Sequence, residues 1–138
     1  MRVEGAFFAE KIESRPDGRL NVEGFGPFTV GVSKFPVILP DYHVPVLLYF
    51  APEDAGKPLT LTFTIVGPHN EEMMKHDLPI DPPFPPQMRK IVTMTLTNLE
   101  LAQPATYRIH FEVDGVGYEG PSFDVTQMRQ EVFRQHPN

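Results

Sequence analysis

A chain of 138 residues with a formal charge of −6 has the size of one domain, and its acidic balance excludes the clustered Lys/Arg grip that displaces counterions from nucleic-acid phosphates. The absence of Cys excludes disulfides, thiolate nucleophiles and zinc ribbons together, so the core must hold by packing. Sixteen Pro, ten Gly and eleven Phe, in a composition 41% hydrophobic and 22% charged, point to many short strands separated by turns, because Pro breaks helices and is confined to sheet edges.

The first residues, MRVEGAFFAEKIES, are interrupted by Glu4, Glu10 and Lys11 and do not form the apolar run of a secretory signal. Gly5 to Ser14 reads as the first strand, with Ala6, Phe8 and Ile12 on one face and Phe7 and Ala9 on the other. Arg15-Pro16-Asp17-Gly18 is a turn signal, and Leu20 to Phe25 returns as the second strand of a hairpin. Gly24-Phe25-Gly26-Pro27 then breaks regularity before Phe28, Val30 and Val32 alternate along a third strand. Pro36 to Pro40 favours an extended connection or an edge segment. His43 to Ala51, HVPVLLYFA, is a nearly continuous apolar run of strand length, with Pro45 placing its beginning at an edge or bulge. After a charged turn over Pro52 to Pro58, Leu59, Leu61, Phe63 and Ile65 alternate with Thr60, Thr62 and Thr64.

Pro68 to Lys75 accommodates a helical turn or a short hydrated strand, and we take the strand. Leu78 to Pro86, LPIDPPFPP, has too few amide donors for a sheet interior and suits polyproline II. Arg89 to Leu99 alternates Val92, Met94 and Leu96 against a threonine face expected to be solvated. Gln103 to Phe123 reads as a β-hairpin: Tyr107, Ile109, Phe111 and Val113 alternate with Arg108, His110 and Glu112, and Asp114-Gly115 supplies the positive φ of a two-residue turn. In Asp124 to Gln135, Met128, Val132 and Phe133 are spaced for a short amphipathic helix.

Strands of this length, each with one apolar face, predict an all-β fold: a two-sheet antiparallel β-sandwich of immunoglobulin-like character with a short C-terminal helix. The predicted organisation is a sandwich domain over residues 1–125 and an amphipathic tail over 126–138. No run of about 18 apolar residues occurs, so no membrane span is expected, and a cytoplasmic location is.

At Gln103-Pro104-Ala105-Thr106-Tyr107 the chain resembles the Pro-small-x-Tyr approach to a late strand in many immunoglobulin-like bacterial domains. Asp114-Gly115, Ser122-Phe123-Asp124-Val125, the opening Phe7-Phe8-Ala9-Glu10, the Asp17-Gly18-Arg19-Leu20-Asn21-Val22 hairpin and Gly24 extend the likeness over most of the length. As a whole the chain resembles an uncharacterised family of small bacterial β-sandwich proteins. The resemblance implies a fold and a bacterial cytoplasmic setting and transfers no active residue. The proline segment and the tail from Asp124 to Asn138 depart from it.

No catalytic constellation emerges. Ser14, Ser33 and Ser122 are the only serines, and none occupies a G-x-S-x-G elbow. Asp77 with Asp81, and Glu71 with Glu72, lie in loop-like sequence where acids serve turns and solubility. His43, His69, His76, His110 and His136 show no i, i+2 strand spacing or i, i+4 helical spacing, so no metal site is expected. Gly24, Gly26 and Gly31 do not have the order of a dinucleotide loop and no P-loop is present, so no cofactor is expected. Two features favour partner binding. The preordered segment 78–86 offers Ile80 and Phe84 as anchors, against its reading as a stiff link. The tail offers Met128, Val132 and Phe133, on a helix too short to persist alone and therefore docked on its own domain or on a neighbour. The expected function is a non-catalytic protein-interaction or scaffold module, with a protein partner or self-association. The alternatives are a small-ligand or carbohydrate-binding sandwich and a structural subunit of a phage-like or secreted assembly.

Overall fold

Side chains that alternate between apolar and polar build most of the elements, and twelve strands result among the described residues. The computed structural model describes residues 1–26, 28–84 and 88–128. In chain order the strands are β1 (Arg2–Ala6), β2 (Lys11–Ser14), β3 (Leu20–Glu23), β4 (Phe28–Val32), β5 (Val37–Ile38) and β6 (Tyr42–Tyr49). After a single 3-10 turn at Pro52–Asp54 come β7 (Leu59–Val66), β8 (Glu72–Ile80), β9 (Arg89–Leu96), β10 (Glu100–Leu101), β11 (Ala105–Val113) and β12 (Val116–Gln127).

The fold is almost wholly β and divides into several sheets. A three-stranded sheet has the order β1-β6-β9, and a five-stranded sheet has the order β4-β12-β11-β7-β8. The pairs β5–β10 and β2–β3 form two small additional sheets. All pairings are antiparallel except β4 with β12, which is parallel. Both larger sheets feed one cluster of buried side chains. Val44, Val46, Leu48, Met94 and Leu96 come from the first, and Leu61, Phe63, Ile65, Ile109, Phe111 and Phe123 from the second. Phe123 sits at the centre of the aromatic packing, with ring centroids of Phe28, Tyr107 and Phe8 at 5.3, 5.4 and 5.6 Å. Such contacts add to the area term of burial.

The hairpin expected over 103–123 forms as read: Asp114 and Gly115 take φ of 50° and 79°, and Val113 pairs with Val116. Alternation in β7 also holds, with Leu61, Phe63 and Ile65 buried, and Thr93, Thr95 and Thr97 form the expected exposed face. The strand preferred after Pro68 is β8.

Four expectations need correction. Gly5 to Ser14 is two strands rather than one, since β1 pairs with β6 and β2 pairs with β3. The break falls opposite Pro45: Phe7 N–H donates to the Pro45 carbonyl at 3.3 Å, and Pro45 has no N–H to return the bond. Pro45 itself lies within a strand flanked on both sides, not at an edge. Leu78–Ile80 joins the sheet at the end of β8; Pro79 is tolerated because, among the described residues, β8 pairs on one side only. Asp124–Gln127 is strand, not helix. Parallel pairing with β4 and burial of Phe123 and Val125 outweigh helical spacing, as tertiary contacts commonly do. The strand thus continues past residue 125 to Gln127, and the rest of the expected helix beyond Met128 lies outside the described residues.

Candidate functional site

The anchors expected from the sequence are not brought together. Ile80 is 3% exposed and part of the core: it ends β8 opposite Leu59, on the inward side of the alternation, and so is withdrawn from any partner. Phe84 is 71% exposed. Met128 is about half exposed; its N–H donates to the Val32 carbonyl at 2.8 Å, and its side chain lies over Gly31 of β4. Val132 and Phe133 lie outside the described residues.

A different surface is built by β1, β6 and β9. Along β6, Val44, Val46 and Leu48 point into the core, so strand alternation turns His43, Pro45, Leu47 and Tyr49 to the outer face. Cross-strand registers then place residues in rows. One row is Arg2, Tyr49 and Arg89; the next is Gly5, Leu47 and Ile91. Beyond them lie Phe7, Pro45 and Thr93, and then Ala9, His43 and Thr95. The exposed Phe25 extends the apolar part by packing edge-on against Phe7, with centroids 4.8 Å apart and planes at 85°.

The two ends of this face differ in charge. At one end the guanidinium carbons of Arg2 and Arg89 stand 4.4 and 5.1 Å from the Tyr49 ring centroid, a cation–π arrangement. Glu4 accepts from Arg89 Nε at 2.8 Å and lies 3.6 Å from an Arg2 nitrogen. The hydrogen bond from Arg89 holds the Glu4 carboxyl below the usual carboxylate range, against a smaller opposing effect of desolvation. Glu4 in turn raises Arg89 further above its ordinary value. At the other end, His43 Nδ1 is 3.0 Å from Thr95 Oγ1, and the β2–β3 hairpin stands over it. Between hairpin and sheet is a cleft of about 310 Å³ lined by Lys11, Ile12, Glu13, Asn21, Glu23 and His43. Its lining holds a single apolar side chain and no aromatic one, which is unlike the mostly apolar lining of small-ligand sites.

Among the described residues, no three His, Asp or Glu side chains converge as a metal-binding group, and no helix is long and apolar enough to cross a membrane. His110 lies 3.6 Å from Glu119 on the exposed face of the hairpin. Sequence reasoning passed over Arg2, Phe7, Phe25, Leu47, Tyr49, Arg89 and Ile91. One signal was available for two of them: a strand apolar at every position, as in HVPVLLYFA, has apolar residues left over on its second face, here Leu47 and Tyr49.

No curated protein and no solved structure gives a significant match to this chain. A model of a family of unknown function, DUF6941, matches residues 4–126, which takes in the β11–β12 hairpin up to Thr126 and nearly all of both larger sheets, but not Arg2 of the outer face. The chain belongs to that family.

Proposed function

We propose that this chain is a non-catalytic protein-interaction module built on an immunoglobulin-like β-sandwich, with the outer face of β1, β6 and β9 as its docking surface. The sandwich reading is supported by the two larger sheets sharing one core. The immunoglobulin-like reading is supported by the strand order, with early strands divided between sheets and β4 parallel to the final strand. It is supported further by Tyr107, which stands near the start of the penultimate strand and donates its hydroxyl to the Gln103 carbonyl at 2.6 Å, the arrangement of a tyrosine corner. The bacterial cytoplasmic setting rests on the resemblance alone.

The observation that carries the interaction reading is the make-up of that face: Phe7, Phe25, Leu47 and Ile91 outside the core, bordered by Arg2 and Arg89 on Tyr49. Aromatic residues and Arg around an apolar centre are the composition that interface centres favour. Apolar side chains of this size left in water lose burial energy, about 25 cal/mol per Å², that a partner recovers.

A photo-reactive residue placed at Ile91, with a second placed at Thr62 on the outward face of β7, tests this in cells. Protein adducts from position 91 and none from 62 are expected. No adduct from either position overturns the reading, as does a turnover abolished by one Asp or His substitution that leaves the fold intact.

A further inference from the structure

Going beyond that reading, we propose that a second copy of this chain pairs edge to edge along β9, at the border of the outer face, so that two three-stranded sheets join into one continuous sheet.

The backbone of β9 has an open side. His43 exchanges two hydrogen bonds with Ala9, at 2.9 and 3.0 Å, whereas Phe50 N–H bonds the Met88 carbonyl at 2.8 Å. Successive residues of an antiparallel strand direct their backbone groups to opposite sides. Odd-numbered residues of β6 therefore face β1, and even-numbered ones face β9. Because Val44 pairs with Met94 and Val46 with Val92, the odd-numbered residues of β9, Ile91, Thr93 and Thr95, point N–H and C=O away from β6. Among the described residues no strand pairs with that side.

Past Arg89 and Lys90 at its start, this edge also lacks the features that keep edges apart. Free edges are normally blunted by charge, proline, bulges or shortness. Ile91 to Leu99 contains neither a charged residue nor a proline. The other long edge, β8, carries Glu72, Lys75, Asp77 and Pro79, and β1 carries Arg2 and Glu4 with a bulge between Val3 and Gly5.

Charge selects a second copy over an unrelated strand. The outer face has a cationic end, where Arg2 and Arg89 outnumber Glu4, and an end of slight acidic excess, where Glu10, Glu13, Asp17 and Glu23 of the hairpin outnumber Lys11, Arg15 and Arg19 by one. A two-fold axis through Thr93, normal to the sheet, reverses the strand direction. It sets Thr93 against Thr93, Ile91 against Thr95, and Arg89 against Thr97. Each copy's arginine end then lies toward the other copy's hairpin, and in this register no two charged residues of β9 face one another. A surface whose two ends carry opposite charge is self-complementary under such an axis.

The test is sedimentation of the full chain over roughly 1 µM to 1 mM, the range in which interfaces smaller than about 1,200 Å² associate. The wild-type chain is expected to move from monomer to twice that mass. Thr93→Lys, which sets like charges opposite each other on an exposed strand face, is expected to weaken the dimer at least about tenfold without changing the far-UV spectrum or the melting temperature. Thr93→Pro removes an outward amide at a position where a sheet edge tolerates proline, and is expected to weaken the dimer likewise. In a chain with no Cys, Thr93→Cys at the axis is expected to close an intermolecular disulfide faster than Thr62→Cys, since facing hydrogen-bonded residues lie about 5.5 Å apart. A dimer untouched by both Thr93 substitutions, or equal rates of disulfide closure, overturns the proposal. A wild-type chain monomeric throughout, with the Ile91 probe capturing a different protein, overturns the second copy and leaves the interaction reading standing. Monomer with no adduct at Ile91 ends both.

Discussion

Tyr107→Phe isolates one atom whose contribution can be worked out from its surroundings. The ring is 1% exposed and stacks on Phe123 at 5.4 Å, and Phe preserves that packing. What is lost is the hydrogen bond from Tyr107 Oη to the Gln103 carbonyl, 2.6 Å long and four residues back along the chain. A net intramolecular hydrogen bond contributes about 0.5–1.5 kcal/mol, and more when its partner is left dry. Gln103 itself is exposed, so water can reach its carbonyl and the loss falls near about 1 kcal/mol. For a domain of this size that corresponds to a fall in Tm of roughly 3–4 °C. Urea unfolding should show a lower midpoint with an unchanged slope. Burial pushes the Tyr107 phenol above its ordinary value, and burial also raises Tyr42. Ultraviolet titration should therefore show Tyr107 and Tyr42 ionising above the ordinary tyrosine range. Each raised phenol favours the folded state below the unfolded value of about 10, and that contribution is lost as pH rises through the folded value. A Tyr107→Phe protein that melts with wild type would refute the corner as a stabilising contact.

Three further outcomes are expected. Ile80→Ala should cost about 2–5 kcal/mol by opening a hole in the core, while Phe84→Ala on the exposed segment should stay within about 0.5 kcal/mol of wild type; chemical denaturation of the two side by side decides whether the placement at the end of β8 is right. Gly120→Ala should destabilise by about 1–3 kcal/mol, because a Cβ there would meet Phe111 Cε2 at 2.6 Å and the Ile109 carbonyl oxygen at 2.8 Å, where the β11–β12 register shifts between Arg108 and His110; an unchanged melt would mean that the strands give way. The Asp54 carboxyl is held below its usual range by a hydrogen bond from the Met1 amine at 2.6 Å and by the Ala51 N–H at 2.9 Å, against desolvation. Its contribution is therefore complete above the unfolded value of about 3.9 and lost as pH falls through the lower folded value, so the stability gap between wild type and Asp54→Asn should close in acid.

Where one local signal dominates, the chain could be read directly. The alternation of Leu59 to Val66 and of Tyr107 to Val113, and the turn demanded by Asp114-Gly115, depend on neighbours in sequence, and all three appear as expected. The misreadings share a cause in long-range pairing. Residues 5–14 look like one strand because nothing nearby says that Pro45 will lie across from Phe7. Asp124–Gln127 is drawn into an expected helix by the spacing of Met128, Val132 and Phe133 beyond it, because its parallel partner β4 lies nearly a hundred residues earlier in sequence. Ile80 looked like a free anchor because the prolines around it suggested a segment outside any sheet, whereas one proline fits an edge strand.

The surface proposed for docking was missed for a stronger version of the same reason. Its members lie at positions 2, 7, 25, 47, 49, 89 and 91, and no window of sequence contains more than two or three of them. They meet only because β6 runs between β1 and β9 in registers that stack Arg2, Tyr49 and Arg89 in one row and Leu47 and Ile91 in the next. Each of these residues, taken singly, is an ordinary surface residue of a sheet. Only the rows turn them into an apolar centre with oppositely charged ends, and only the backbone direction of β9 makes the neighbouring edge available. The surface proposed for docking is thus a property of register, which depends on the longest separations in sequence. An enzyme can announce itself through a few residues at fixed local spacing; a docking face assembled from strand registers has no such local signature.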